Sequence, residues 1–412
     1  MKINRHILDN GLRLVHSQDE STQMVAINIL YNVGARDEHP EHTGFAHLFE
    51  HLMFGGSVNI PDYDRSLQLA GGENNAWTNN DITNYYLTVP RQNVETGFWL
   101  ESDRMLGLDF SERSLDIQRG VVMEEFKQRC LNQPYGDVGH LLRALAYQVH
   151  SYQWPTIGKE LSHIANATLE DVKDFFYRFY APNNAVLAVT GNIAFDEAIA
   201  LTEKWFGNIP KRDVAKRNLD KEPEQTNERR LTVERNVPLD ALFMTYHMCG
   251  HDHPDYYAFD ILSDLLSNGN SSRLNQRLVQ QNQLFSSIDA YISGSVDAGL
   301  FHISGKPVVG VSLEQAEAAV RDELICLQQE LVGENELEKV KNKFESTQIF
   351  GNMNYLSVAT NLAWFEFLGR AEDLEKEVEN YRSITPEDIK RVAQSAFRKE
   401  NGCILYYKKQ PI

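Results

Sequence analysis

The sequence predicts an α+β protein made from two copies of one domain, on three observations. Strand-like alternating segments and helix-periodic segments follow one another along both halves of the chain. A charged stretch almost free of apolar residues, PKRDVAKRNLDKEPEQTNERR at 210–230, divides them. Shifting the first half by 214 positions brings His39-Pro40 onto His253-Pro254, Phe45 onto Phe259, Leu48 onto Leu262, Leu52 onto Leu266, Gly55 onto Gly269 and Ser57 onto Ser271. The chain has 412 residues, more than one core sustains, since cores stop growing at roughly 250–300 residues. The partition expected is therefore 1–212, a linker at 213–230, and 231–412.

The elements of the first half follow in order. Leu12, Leu14 and His16 alternate with their neighbours as in a strand, and 24–31 is apolar and rich in β-branched residues. A polar turn follows at 34–38, and over 43–54 the period becomes helical. Residues 75–89 read as a hairpin turning at Asn79-Asn80-Asp81. A long helical region is expected over about 94–131. Another helix covers 169–180, with Thr168 as N-cap and Pro182 beyond its end, and 184–190 reads as a buried strand.

Composition narrows the function classes. Hydrophobic residues are 42% and charged residues 24%, ordinary for a soluble globular chain. The formal charge is −18, from 40 basic and 58 acidic residues. Such a surface repels phosphate, which argues against nucleic acid as a partner and leaves basic peptides acceptable. Cys130, Cys249, Cys326 and Cys403 are scattered and form no CxxC, so a disulfide framework is not expected and a reducing compartment fits. No apolar leader and no run of membrane-spanning length is visible. The expectation is a cytoplasmic protein without a membrane partner, with a periplasmic location left open.

The chemistry lies in Gly44-Phe45-Ala46-His47-Leu48-Phe49-Glu50-His51-Leu52-Met53-Phe54-Gly55-Gly56. At 100° per residue, Phe45, Leu48, Phe49 and Leu52 share an apolar face, while His47, Glu50, His51 and Phe54 lie opposite. Two imidazoles four residues apart stand one turn from each other and can reach one ion, with Glu50 between them. The pattern H-x-x-E-H inverts the H-E-x-x-H zinc motif. A catalytic zinc takes three protein ligands and leaves one position for water, which a nearby carboxylate can deprotonate. The plainer alternative is a helix with two ordinary polar histidines. The third ligand must come from elsewhere, and Glu124 and Glu125 are the candidates. They point about 100° apart on a helix, and spacing does not choose between them.

With these residues in view, the sequence resembles the M16 peptidase family (pitrilysin, insulin-degrading enzyme and the mitochondrial processing peptidase), specifically its shorter two-domain members. The resemblance covers nearly the whole chain. For the fold it implies two homologous α+β domains, each a mostly antiparallel sheet packed with helices on one face. For the site it implies one Zn²⁺ per chain held by His47, His51 and Glu125, with Glu50 as general base. Glu125 lies 74 positions after His51, preceded by Arg119-Gly120-Val121-Val122. The segment Asn75-Ala76-Trp77-Thr78 is similar to the family's N-A-x-T strand, whose free edge pairs with an extended peptide through Asn75 and Ala76.

Three positions depart from the family pattern. Gln118 stands where many members have a second carboxylate seven residues before the third ligand; an amide can orient a ligand but brings no negative charge. Val279 and Ser286 stand where an Arg and a Tyr often bind the substrate carbonyl, while Arg277 and Tyr291 are out of register. Two-domain members act as dimers, so the resemblance implies a heterodimer with a sister subunit that supplies the Arg/Tyr pair, a homodimer being the alternative. The expected activity is endopeptidase cleavage of peptides or unfolded segments; the rival is a non-catalytic peptide-binding or scaffold subunit. His247, Cys249, His251 and His253 would share one face of a strand, but Gly250 and Pro254 break that strand, and no metal site is expected there.

Overall fold

The computed structural model describes residues 1–214, 217 and 219–411. Its strands are β1 (Asn4–Ile7), β2 (Arg13–Gln18), β3 (Met24–Tyr31), β4 (Glu73–Thr78), β5 (Thr83–Pro90), β6 (Ala185–Gly191), β7 (Arg229–Arg235), β8 (Ala241–His247), β9 (Phe285–Ile292), β10 (Leu300–Pro307) and β11 (Gly402–Lys409). The helices of the first half are α1 (Phe45–Leu52), α2 (Tyr63–Leu69), α3 (Val94–Leu106), α4 (Glu112–Phe126), α5 (Val138–Ala146), α6 (Leu161–Ala165), α7 (Leu169–Phe179) and α8 (Phe195–Phe206). The second half adds α9 (Tyr256–Ser267), α10 (Leu313–Gln329), α11 (Glu334–Gly351), α12 (Tyr355–Phe367), α13 (Glu377–Ser383) and α14 (Pro386–Ala396).

Two compact units result. One combines Met1–Lys127, Trp154–Leu219 and Gln348–Glu377; the other combines Gln128–Gln153, Asp220–Thr347 and Val378–Ile412. The sheet of the first unit runs β1-β2-β6-β3-β5-β4 and that of the second β7-β11-β8-β10-β9. Within each sheet the pairing is antiparallel except for one parallel pair, β2 with β6 and β7 with β11. Matching β2 to β7, β6 to β11, β3 to β8, β5 to β10 and β4 to β9 superimposes the two strand orders. This is the mixed α+β, two-domain architecture that the sequence predicts.

The resemblance implies helices on one face of each sheet, but in the first unit the sheet is covered on both faces. Along β3, Val25, Ile27, Ile29 and Tyr31 enter a core shared with Phe45, Phe49 and Phe176. Ala26 and Leu30 face the other way, into a cluster with Val358, Ala359 and Leu362 of α12. Because neither face meets water, 24–31 reads as an apolar run interrupted only by the buried Asn28. In the second unit α5 does for its sheet what α12 does for the first: Leu142 packs with Leu405 and Tyr407.

One further expectation changes in detail. The helical region over 94–131 is two helices, α3 and α4, followed by a π turn at Lys127–Leu131. The break falls at Gly107, where a Cβ would meet Val58 Cγ2 at 2.8 Å, and Ser111 then caps α4 by accepting from Ser114 N. In the charged stretch at 213–230, of which 215, 216 and 218 lie outside the described residues, Arg217 and Glu222 are tied to the units on either side of it in sequence. Arg217 bonds Asp37 and the Asn32 carbonyl. Glu222 accepts the backbone N–H groups of Gln148, Val149 and His150 at 2.9–3.0 Å.

Candidate metal centre

Helix α1 is short, and its N-terminal residue lacks a side chain to cap it. Gly44 sits at φ 86°, and a Cβ there would meet Ile164 Cδ1 at 2.6 Å and the Ile157 carbonyl at 3.0 Å. The cap comes instead from Glu38, whose carboxylate accepts from Gly44 N at 2.9 Å and Ala46 N at 2.8 Å. Burial pushes the Glu38 carboxyl up to about 8, while those two N–H bonds pull the other way. Nothing in the composition of α1 reveals this acceptor. The available signal is the missing one: Gly-Phe-Ala-His offers no side-chain oxygen at the N-terminus.

The apolar face of α1 is buried as its period requires, with Phe45, Leu48, Phe49 and Leu52 at 5% exposure or less. Its other face brings the two imidazoles together. His47 Nε2 and His51 Nε2 are 3.3 Å apart. Glu125 Oε2, from the last turn of α4, lies 3.5 Å from each. Glu124 points elsewhere, to Lys127 Nζ at 2.6 Å, with an exposed side chain. Among the described residues, His47, His51 and Glu125 are the one group of three or more His, Cys, Asp or Glu side chains that converges closely enough to hold a metal ion. The cluster at 247–253 does not converge: His247 Nε2 bonds the Ala146 carbonyl at 3.1 Å and His253 faces Asp255 at 3.8 Å.

The triangle of ligand atoms, with sides of 3.3, 3.5 and 3.5 Å, provides a test of fit. Ligands bound tetrahedrally at 2.0–2.1 Å must lie about 3.3–3.4 Å from one another. Two imidazole nitrogens and one carboxylate oxygen at that separation form a zinc-type donor set with a fourth corner to spare. Gln118, two turns earlier on α4, makes no hydrogen bond to any of the three among the described residues.

Glu50 lies between the histidines on α1 and reaches the hairpin. Thr78 Oγ1, at the end of β4, donates to Glu50 Oε2 at 2.5 Å. Beneath them Tyr85 and Tyr180 pair hydroxyl to hydroxyl at 3.1 Å. Burial raises both phenols well above their ordinary value, with the Glu50 charge among the further causes, so both stay protonated. The Tyr85 ring lies under the buried Arg104 guanidinium at 4.5 Å, and that cation pairs with Glu101 at 2.5 Å.

Strand β4 pairs with β5 alone and forms an edge of its sheet, with Asn75 exposed and Ala76 half-buried against the core. The hairpin tip is clamped. Asn79 Oδ1 accepts from Asp81 N and Ile82 N at 2.7 and 2.9 Å, Arg36 N donates to the Asn80 carbonyl at 2.8 Å, and Arg36 and Asp81 form a buried ion pair at 2.9 Å. In the second unit Val279 packs against the core, and Ser286 Oγ donates to the Lys306 carbonyl at 3.0 Å. Arg277 pairs with Glu323 at 2.7 Å, and Tyr291 stacks on His302 at 4.7 Å.

Two models of one peptidase family match this chain: "Insulinase (Peptidase family M16)" over residues 13–160 and "Peptidase M16 inactive domain" over 166–344. The chain belongs to peptidase family M16. It is 29% identical to "Zinc protease PqqE" of Helicobacter pylori over 97% of this chain and 91% of that one. It is 26% identical to "Uncharacterized zinc protease YmxG" of Bacillus subtilis over 98% of each. The solved structure of a protease from Helicobacter pylori superposes with a TM-score of 0.93 at 28% identity, covering 99% of both chains. A structure titled as a peptidase M16 inactive domain from Pseudomonas fluorescens shares the fold, with a TM-score of 0.90 at 16% identity. No helix among the described residues of this M16 chain is long and apolar enough to cross a membrane.

Proposed function

We propose that this M16 chain is a zinc-dependent endopeptidase acting on peptides or unfolded segments. One observation carries the reading: two imidazoles and a carboxylate converge at tetrahedral spacing, with a fourth side chain, Glu50, beside them. His47, His51 and Glu125 would hold one Zn²⁺. When bound, zinc supplies Lewis acidity that acidifies water and polarises a carbonyl.

The remaining steps belong to the chain. The free edge of β4, through Asn75 and Ala76, pairs with the backbone of an extended substrate. Glu50 accepts a proton from the attacking water as that oxygen bonds to the scissile carbonyl carbon. It delivers the proton to the amine nitrogen as the C–N bond breaks. With Val279 and Ser286 at the positions discussed above, the chain has no Arg/Tyr pair to steady the carbonyl oxygen there. A sister M16-type subunit carrying that pair would complete the site.

The test is Glu50→Gln, assayed with and without a candidate sister subunit. Cleavage should fall by about 10²–10⁴-fold with zinc content unchanged. A variant that still cleaves at the wild-type rate would remove Glu50 from the mechanism. A scaffold subunit, the rival reading, would bind no zinc and cleave nothing in either assembly.

A further inference from the structure

Resting on the peptidase reading, we propose that Thr78 is a positioning residue that couples the substrate-binding edge strand to the general base. The hydroxyl belongs to the last residue of β4, where the free edge ends, and it donates to Glu50 Oε2 at 2.5 Å. Its own position is over-determined on the far side. Thr78 pairs with Thr83 across the hairpin, their hydroxyl oxygens lie 3.5 Å apart, and Thr83 Oγ1 donates to the Val33 carbonyl at 2.9 Å. The tip immediately beyond is held by the Asn79 turn and the buried Arg36–Asp81 pair.

A long carboxylate side chain on a helix has several rotamers, and only some direct it at the reacting water. A short charge-assisted bond from a rigid donor selects among them. The donor is itself part of the strand that would receive the peptide. Lengthwise alignment of the peptide on β4 and the orientation of Glu50 are thereby set by one backbone segment. Seating a peptide on residues 73–78 orders the same strand end that holds the base. Thr78 does not touch the reacting atoms; its effect runs through Glu50.

Thr78→Val removes the hydroxyl and keeps the shape, and Thr78→Ser restores the hydroxyl. The expected result for Thr78→Val is a fall in kcat of about ten- to a hundredfold, the loss of one hydrogen bond to a charged group, with KM within about twofold. Thr78→Ser should recover most of kcat. In the Glu50→Gln background, Thr78→Val should change cleavage no further, because the group it positions is gone. Binding of the uncleaved peptide to Glu50→Gln and to the double variant, read by tryptophan fluorescence, should give the same affinity. Zinc content and melting temperature should match the wild type.

An unchanged kcat, a rise in KM alone, failure of the serine variant to rescue, or loss of zinc or fold in Thr78→Val would each overturn the proposal. The peptidase reading fails differently: wild-type protein would then lack zinc and cleavage whatever stands at position 78.

Discussion

At the scale of single residues, the site was legible where side-chain chemistry is tied to a fixed spacing. His47, Glu50 and His51 share a face because α1 is a helix, and the sequence period requires that. The choice between Glu124 and Glu125 is not local. It depends on the rotation of α4 against α1, which packing fixes, and in the structure Glu124 turns to Lys127. The Glu38 cap was also out of reach, since an acceptor six residues before Gly44 follows from the path of a loop and not from helix periodicity.

His302 makes a separate residue-scale prediction, distant from the metal ligands in sequence. Burial, with the nearby Arg143 charge, lowers its imidazole to about 3, and Tyr291 stacks on its ring. The folded value lies below the unfolded one. The stabilisation is therefore complete above the ordinary 6.5 and is lost as pH falls toward 3. Between pH 7.5 and 5 this group should cost the fold about 2 kcal/mol. Denaturant melts at both pH values should show that decline reduced by the same amount in His302→Phe. Equal declines in variant and wild type would refute it.

At the scale of elements, most strands and helices announced themselves: the hairpin turning at 79–81, the capped helix after Thr168, the buried run that became β6. The division of 94–131 into α3 and α4 did not, because helical periodicity continues across the break. At the break Gly107 is extended and the chain bonds residues 56–58, Val58 N donating to the Gly107 carbonyl and Asp109 N to the Gly56 carbonyl. The weak point of the site is the start of α1. Gly44→Ala places a Cβ at φ 86° and against Ile164 and Ile157. It should destabilise the protein by about 1–3 kcal/mol and loosen zinc with it, since α1 carries both imidazoles. Thermal melts with and without added zinc check this. A variant as stable as the wild type would mean that α1 tolerates a different entry.

For the molecule as a whole, the duplication read from a 214-residue shift corresponds to two sheets of matching strand order. The expected partition into continuous stretches does not foresee that 128–153 and 348–377 join the units opposite in sequence. Both segments carry helices, α5 and α12, that cover the face of a sheet turned away from its main core. Amphipathic periodicity shows that such a helix buries a face but not which sheet receives it. The partner proposal belongs at this scale. Mixing the chain with a sister subunit bearing the Arg/Tyr pair should yield a heterodimer by light scattering and raise peptide cleavage at least tenfold. Full activity of the chain alone would defeat it.

The central claim is that His47, His51 and Glu125 form one zinc site, and metal analysis of the purified chain tests it most directly. The account predicts one zinc per wild-type chain, lost in His47→Ala and in His51→Ala, weakened in Glu125→Gln and retained in Glu50→Gln. Zinc that stays at one per chain when both histidines are replaced, or a folded wild type that binds none when zinc is supplied, would contradict it.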